Sequence, residues 1–150
     1  MDGVDVSLIR SNGIDKFTKI LNEYHEYDNN LHQGLIDLRN LILNFEDLEK
    51  YSSKINEIER EITIFHGKII NQISLKYDDK IDLLGFHGQT IYHNPGKKIT
   101  KQLGDGKLLS QLIKKKVIFD FRQEDIKNNG QGAPLTPVSY THLRAHETFA

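Results

Sequence analysis

Short strand-like runs alternate along this chain with segments whose apolar residues recur at helical spacing. Alternating or β-branched residues predict strands at residues 4–10, 17–27, 81–86, 99–103 and 117–119, and the second is expected to be the hairpin partner of the first. Helical spacing predicts helices at residues 31–43 and 46–77, and a third helix that Asp105 caps and that runs through Ile113 to a last turn at residues 114–116. Strands that alternate with helices are typical of α/β proteins, so we expect a mixed, mainly parallel sheet with flanking helices.

Several local signals mark the ends of these elements. Asp28, Asn29 and Asn30 offer N-cap chemistry before the first helix, and Asp105 offers it before the third. The lysines at 114–116 are predicted to lie in the last turn of the third helix, where positive charge suits the helix dipole. The apolar run 81–86 predicts a buried strand.

The segment 46–77 has an apolar pattern that fits two structures. Its apolar residues are spaced alternately three and four apart: Leu48, Tyr51, Ile55, Ile58, Ile62, Phe65 and Ile69. This is a heptad seam, but a helix packed on a sheet produces the same stripe. The repeat lapses at Gln72 and contains Gly67, so we favour the packed helix. A non-enzymatic interaction protein organised by this helix is the alternative.

A polar turn, His87-Gly88-Gln89-Thr90, directly follows the apolar run 81–86. Ligands of α/β proteins bind at the carboxyl ends of strands. Gly88 permits a close backbone approach, and Gln89 and Thr90 supply directional donors and acceptors suited to sugar hydroxyls. His87 can donate, accept or exchange a proton. The alternative is a turn whose polar groups only satisfy the backbone.

A second polar cluster, Asp120-Phe121-Arg122, follows the predicted strand 117–119. A carboxylate beside a guanidinium can hold a hydroxyl and an anionic group together. A structural ion pair between the two side chains is the alternative.

A third cluster, residues 130–137, reads Gly-Gln-Gly-Ala-Pro-Leu-Thr-Pro. Two glycines followed by two prolines predict a defined loop rather than a flexible one. We favour a ligand-binding loop over a plain connection.

Charge and composition exclude several classes of protein. The net charge is −1, which argues against nucleic acid or an anionic membrane as a partner. No apolar run is long enough to span a membrane, and no basic flank and apolar stretch mark a signal peptide. Cysteine is absent, which excludes disulfides and fits a reducing compartment, so we expect a cytoplasmic protein.

Residues 138–150 are interpreted as a non-native, disordered tail. Residues 138–148 read Val-Ser-Tyr-Thr-His-Leu-Arg-Ala-His-Glu-Thr, which is the translation of a tagmentation sequencing adapter. His142 and His146 stand four residues apart, a spacing that suits a metal site on a helix. Because the tail is foreign under this interpretation, we do not assign a metal site there.

Taken in order, DGVDV, LGFHGQTIYHNP, QLGDGKLLSQL, DFRQEDI and NGQGAPLTP resemble the anhydro-N-acetylmuramic acid kinases. The resemblance covers residues 2–137 and implies a partial N-terminal domain of an actin-like sugar kinase. It further implies the use of ATP with Mg²⁺. The reaction would convert 1,6-anhydro-N-acetylmuramic acid, ATP and water to N-acetylmuramate 6-phosphate and ADP in peptidoglycan recycling. A homodimer of the full-length parent is a further expectation, and a related sugar kinase with another substrate is the alternative.

The resemblance also implies roles for particular residues. Asp2, Gly3, Val4 and Asp5 would form the end of the first phosphate-binding loop, whose amides and carboxylate manage ATP phosphate charge. The sugar would be bound by His87, Gly88, Gln89, Thr90, Asp120, Arg122, Gln131, Gly132, Ala133 and Pro134.

The chain departs from the family at both ends. The family's loop reads Gly-Thr-Ser-x-Asp-Gly-x-Asp after a first strand, and this chain begins at the x position. The family's general-base Asp lies in a Gly-Phe-Asp-x-Gly-Pro-Gly-Asn motif, expected beyond Pro137. We therefore expect a truncated, inactive chain that lacks its first strand and is unstable because neighbouring strand edges are unpaired.

Overall fold

The computed structural model describes residues 2–77, 81–130 and 132. Within them, six strands form three separate two-stranded sheets, and five helices pack beside the sheets. This confirms the predicted α/β composition. The Gln131, Ala133 and Pro134 positions and the predicted tail at 138–150 lie outside the described residues.

The first sheet is the antiparallel hairpin of β1 (Gly3–Ser11) and β2 (Phe17–Glu26). Asn12 closes its connection, because the Oδ1 atom of Asn12 accepts hydrogen bonds from the backbone N–H groups of Ile14, Asp15 and Lys16. A register shift falls between Leu8 and Ile9. Both strands were predicted from the sequence.

The second sheet is a parallel pair, β3 (Leu83–Gly85) with β6 (Lys116–Ile118). The pairing continues one residue further, since the backbone N–H of Phe86 donates to the Ile118 carbonyl over 2.8 Å. The strand predicted at 81–86 is present at Leu83–Gly85, but the prediction that it is buried is wrong. Leu83 is 51% exposed, because a sheet of two strands leaves much of its surface uncovered, and only Phe86 is buried.

The third sheet is the antiparallel pair β4 (Gln89–Asn94) and β5 (Ile99–Leu103), joined through one 3₁₀ turn at Pro95–Lys97. Two of the three sheets in the described residues are therefore antiparallel, which contradicts the expected mainly parallel sheet. The reason is connectivity, because each antiparallel pair joins consecutive strands through a short loop. Only β3 and β6 are separated by a crossover.

Three helices lie between β2 and β3 in the part of this segment that the structure describes. Helix α1 (Asn29–Leu41) begins at Asp28, whose carboxylate accepts from the backbone N–H groups of Asn30 and Leu31 as an N-cap. The predicted single helix at 46–77 is divided into α2 (Glu46–Lys50) and α3 (Ser52–Lys76), with the division at Tyr51.

Two shorter helices follow in the second half of the chain. Helix α4 (Gly106–Ile113) is capped by Asp105, as predicted, and α5 (Phe121–Lys127) follows β6. The placement of the 114–116 lysines in the last turn of α4 is wrong. The helix ends at Ile113 and Lys114 adopts a left-handed conformation, so these lysines lead into β6 instead.

Helix α3 contributes to both hydrophobic clusters of the described residues. The larger cluster joins α1, α3, β1, β4 and β5, and the smaller one joins α3 to α4 and the end of β3. The apolar seam of α3 lies in this core, with Ile55, Ile58, Ile62 and Ile69 at most 6% exposed. The seam therefore packs within its own chain, as the packed-helix interpretation predicts. No helix in the described part of the chain is long and apolar enough to cross a membrane.

Candidate functional site

A cleft of about 270 Å³ lies where the start of β1 meets the loop after β3. It brings together two segments that are distant in the sequence. One side is formed by Gly3, Val4 and Asp5, and the other by the turn from His87 to Gln89. The remaining lining residues come from β1, β3, α3, α4 and the end of the hairpin: Val6, Ser7, Tyr27, His66, Ile70, Leu84, Gly85, Phe86 and Leu109.

The β1 side of the cleft is fixed by pairing with the end of β2. Gly3 pairs with Glu26, and a side chain at Gly3 would overlap the carbonyl oxygen of His25. The Asp2 carbonyl accepts from the backbone N–H of Tyr27 over 3.0 Å, and the Asp2 carboxylate lies 3.3 Å from the Nε2 atom of His32. Asp5 is exposed and lines the cleft.

The opposite side depends on a left-handed backbone at Gly88, with φ of 62°. A β-carbon at Gly88 would overlap the carbonyl oxygen of Leu103, so only glycine allows this close approach to the end of β5. The turn is further held by Gln102, whose Nε2 atom donates to the His87 carbonyl over 2.7 Å. The exposed His87 ring lies with its Nδ1 atom 3.0 Å from the Gly88 carbonyl.

Helix α3 supports the loop that lies beneath Gly88. The Glu59 carboxylate accepts from the Lys101 ammonium over 2.9 Å and from the Gly104 backbone N–H over 3.2 Å. One turn further, the Thr63 hydroxyl accepts from the Asp105 backbone N–H over 3.0 Å. The polar edge of α3 therefore fixes the loop against which Gly88 packs.

His66 and Tyr27 line the cleft, although the sequence did not single them out as site residues. His66 makes a hydrogen bond within its own helix, since its Nδ1 atom lies 2.8 Å from the Ile62 carbonyl. The only sequence signal for a site was position, because His66 borders the apolar stripe of α3 four residues after Ile62.

Both of these side chains have pKa values shifted toward the neutral form. Burial lowers the pKa of His66, and charge on His87 lowers it further, while the hydrogen bond to the Ile62 carbonyl acts in the opposite direction. Burial raises the pKa of Tyr27 to about 12. The cleft wall thus presents a neutral imidazole and a neutral phenol at pH 7.

Asp120 and Arg122 follow β6, whose parallel partner β3 leads into His87. The carboxyl ends of both strands therefore point to the same edge of this sheet. However, neither Asp120 nor Arg122 is among the described residues that line the cleft. The described residues show no ion pair between the two side chains either.

Of the predicted third cluster, Gly130 and Gly132 are described. Gly132 is buried and left-handed, with φ of 63°, and its backbone N–H donates to the Asp125 carboxylate over 2.7 Å. A β-carbon at Gly132 would contact the Ile126 side chain and the Arg122 carbonyl. This glycine therefore lies against α5, and the rest of the predicted loop, residues 131 and 133–137, lies outside the described residues.

The charges in the cleft restrict what it can hold. Among its described lining residues, Asp5 is the single carboxylate, and lysine and arginine do not occur. No group of three potential metal ligands is found in the described residues. Mg²⁺ needs no such group, because it is often held by one or two carboxylates together with substrate phosphates and water. Asp5 supplies one carboxylate, which is enough for this way of holding Mg²⁺.

Comparisons with known proteins give one consistent result. The family model described as anhydro-N-acetylmuramic acid kinase matches residues 1–150. An anhydro-N-acetylmuramic acid kinase of Pelagibacter ubique (strain HTCC1062) is 50% identical over 143 residues, which cover 95% of this chain and 38% of the relative. Similarly named proteins of Brucella canis and Rhizobium etli are 31% and 33% identical over 153 and 146 residues, covering 97% and 95% of this chain. The chain spans about two fifths of the length of these relatives.

Proposed function

This chain belongs to the anhydro-N-acetylmuramic acid kinase family, and from this we propose that the whole protein phosphorylates 1,6-anhydro-N-acetylmuramic acid with ATP. Water opens the anhydro bond in the same reaction, so the products are N-acetylmuramate 6-phosphate and ADP. The reaction serves peptidoglycan recycling in the cytoplasm, where ATP is available. A homodimer of the whole protein belongs to the same proposal.

The nucleotide side of the proposed site is the start of β1. Asp2, Gly3, Val4 and Asp5 contribute backbone amides and carboxylates near the ATP phosphates. Mg²⁺, when bound, neutralises phosphate charge there. Asp5 is the carboxylate that supports this assignment, because it is exposed in the cleft.

The sugar side is the turn His87-Gly88-Gln89-Thr90 and the two clusters after it. His87 and Gln89 supply side-chain donors and acceptors at the cleft, and Gly88 permits the turn. Asp120 and Arg122 lie after the neighbouring strand and would bind the sugar from that edge of the sheet. The loop containing Gln131, Gly132, Ala133 and Pro134 would complete this side.

The observation that carries the proposal is the shared cleft. Gly3, Val4 and Asp5 were assigned to ATP, and His87, Gly88 and Gln89 to the sugar, on separate sequence motifs. Both sets line one cleft of about 270 Å³. Phosphoryl transfer requires donor and acceptor to be held side by side, and such an arrangement supports it.

The experiment measures ADP formation by the protein expressed from its complete gene. We expect phosphorylation of 1,6-anhydro-N-acetylmuramic acid, with N-acetylmuramate 6-phosphate as the product seen by mass spectrometry. N-Acetylglucosamine and glucose test the alternative of a related kinase with another substrate. The proposal fails if 1,6-anhydro-N-acetylmuramic acid is not phosphorylated.

Variants locate the activity in the cleft. Gln89→Ala should lower kcat/KM for the sugar, because Gln89 supplies a side-chain amide at the cleft. His93→Ala is the matched control, since His93 lies on the same strand, is exposed and is not a lining residue of the cleft. The 150-residue chain by itself should show no phosphorylation, because the proposed general base lies outside it.

A further inference from the structure

His66 is held in one orientation on the wall of the cleft. Its ring packs edge-on against Phe86, with 5.0 Å between ring centroids and 69° between ring planes. Its Nδ1 atom lies 2.8 Å from the carbonyl of Ile62, one helical turn earlier on α3. These two contacts fix both the position and the rotation of the imidazole.

The hydrogen bond to Ile62 also determines the tautomer. A carbonyl oxygen only accepts, so the Nδ1 atom of His66 carries the proton that is donated. In the neutral ring the Nε2 atom is then an acceptor with a free lone pair. This is the state expected at pH 7, because burial disfavours the charged ring.

The Nε2 atom of His66 reaches the cleft. His66 is half-buried and lines the cleft, and the one hydrogen bond of its side chain among the described residues uses Nδ1. Within the described residues, no buried side-chain nitrogen or oxygen lacks a hydrogen-bond partner. The Nε2 atom is therefore not enclosed without a partner, and the surface that His66 lines is that of the cleft.

The surroundings of His66 favour a neutral donor over a phosphate. The titratable groups that line the cleft with it are Asp5, Tyr27 and His87, and the described lining contains no lysine or arginine. A phosphate oxygen is an acceptor, and so is the lone pair of Nε2, so the two cannot form a hydrogen bond. A hydroxyl or an amide N–H would instead donate to it.

We propose that the Nε2 atom of His66 accepts a hydrogen bond from a hydroxyl or amide N–H of the sugar. The sugar, and not the nucleotide phosphates, then occupies the end of the cleft beside His66 and His87. This inference rests on the proposed function and adds a binding residue that none of the sequence motifs contains.

The kinetic test compares His66→Phe with the wild type in the protein expressed from its complete gene. Phenylalanine keeps an aromatic ring against Phe86 and removes the acceptor. The loss of one neutral hydrogen bond should raise KM for the sugar about two- to tenfold, and KM for ATP should stay unchanged. His66→Gln restores an acceptor oxygen and should show a smaller rise. His93→Phe, on β4 outside the cleft, should change neither constant.

A spectroscopic test does not depend on activity. In protein labelled with ¹⁵N-histidine, His66 should show the neutral tautomer with the proton on Nδ1, and addition of the sugar should shift its Nε2 resonance. If His66→Phe does not fold, this measurement and His66→Gln decide the question. A proton on Nε2, or an Nε2 resonance unaffected by bound sugar, overturns the inference.

The kinetic outcomes distinguish a failure of the proposed function from a failure of the role proposed for His66. If the wild type does not phosphorylate the sugar, the proposed function fails and the inference fails with it. If the wild type is active but His66→Phe keeps its KM for the sugar, only the inference fails. An equal rise in KM for ATP, or a lower melting temperature with unchanged KM, also overturns it, because both indicate a purely structural role.

Discussion

Gly13 and Gly88 have similar left-handed backbones in different surroundings. Their φ angles are 75° and 62°, a region that costs other residues about 1–2 kcal/mol. Gly13 lies in the β1–β2 connection, where a β-carbon would meet nothing within 4 Å. At Gly88 the same atom would overlap the Leu103 carbonyl oxygen. The pair therefore separates backbone strain from steric overlap.

We predict that Gly88→Ala lowers the free energy of unfolding more than Gly13→Ala does. Gly13→Ala should cost about 1–2 kcal/mol, the strain of a left-handed alanine alone. Gly88→Ala should exceed that value, because the end of β5 must also move. Urea unfolding of both variants measures the difference. Equal losses would show that the turn at His87 relaxes without cost.

His66 should make stability depend on pH. Its pKa is lowered in the folded protein, mainly by burial, from about 6.5 in the unfolded chain. Between these two values the unfolded chain binds more protons than the folded one. The free energy of unfolding therefore falls as the pH drops through about 6.5, and it levels off below the folded-state pKa.

Denaturant unfolding of the wild type and His66→Phe at pH 8 and pH 5 measures this contribution. At pH 8 both rings are uncharged, and the difference between them reports packing and the Ile62 hydrogen bond. At pH 5 the difference should move in favour of His66→Phe, which cannot be protonated. A difference that stays constant with pH would contradict the burial of His66.

At the scale of elements, α3 shows how a heptad-like stripe serves the core of its own chain. Ile62 is fully buried in the larger cluster, whereas Lys68 on the same helix is exposed. We predict that Ile62→Ala lowers the free energy of unfolding by about 2–5 kcal/mol through lost burial and a residual cavity. Lys68→Ala should change it by less than about 0.5 kcal/mol.

Chemical unfolding of the 150-residue chain at two protein concentrations distinguishes a helix packed within its own chain from a coiled coil. Unfolding of a packed helix is independent of concentration. For an intermolecular seam, the wild type would instead be stabilised at the higher concentration, and Ile58→Asp and Ile62→Asp would abolish dimers without unfolding a monomer. That result would support the alternative of a non-enzymatic interaction protein organised by this helix.

The elements could be predicted from the sequence where local chemistry decides them. Asp28 and Asp105 are N-caps, and their side chains accept the bonds that this position requires. The hairpin of β1 and β2 was predicted, because the two strands are consecutive and joined by turn residues. The parallel pairing of β3 with β6 was not predicted, because the strand-forming residues do not indicate which distant strand lies beside which. The end of α4 was also missed, since the left-handed Lys114 has no glycine to signal it.

The candidate site could be predicted only in part, because only some of its residues belong to a local sequence motif. The turn at His87 carries a dense polar motif that is visible in the sequence. Its approach to Gly3 and Asp5 follows only from the folded chain, although the family resemblance assigned both segments to one enzyme. His66 and Tyr27 join the cleft because of the packing of α3 and β2, and a lone histidine or tyrosine gives no local signal of that.

At the scale of the whole molecule, the first two sheets do not join. In the described residues β1 pairs only with β2, and β3 pairs only with β6. A groove of about 570 Å³ runs between them, lined by Val6 to Ser11 of β1 and by residues 81–85. Ile70 and Ile73 of α3 also line it. Within the described residues, no strand lies between the facing edges of β1 and β3.

We predict that extending the chain before Met1 by an alternating, β-branched strand of the family type raises the melting temperature by several degrees. The added strand would pair with the edges of β1 and β3 and cover the groove. An extension of the same length made of glycine and serine is the control. Thermal unfolding followed by circular dichroism measures the melting temperatures of the two extended chains. Equal melting temperatures would show that the added strand does not occupy the groove.

The length of α3 sets a limit on how sequences of this kind can change. The helix carries Ile58 and Ile62 into the larger cluster near its middle and Ile69 and Ile73 into the same cluster further on. One inserted or deleted residue between Ile62 and Ile69 would rotate one half against the other by about 100°. Insertions and deletions should therefore be tolerated in the exposed connection at residues 12–16. Within α3 selection should eliminate them. We therefore expect alignments of related sequences to run through this helix without gaps.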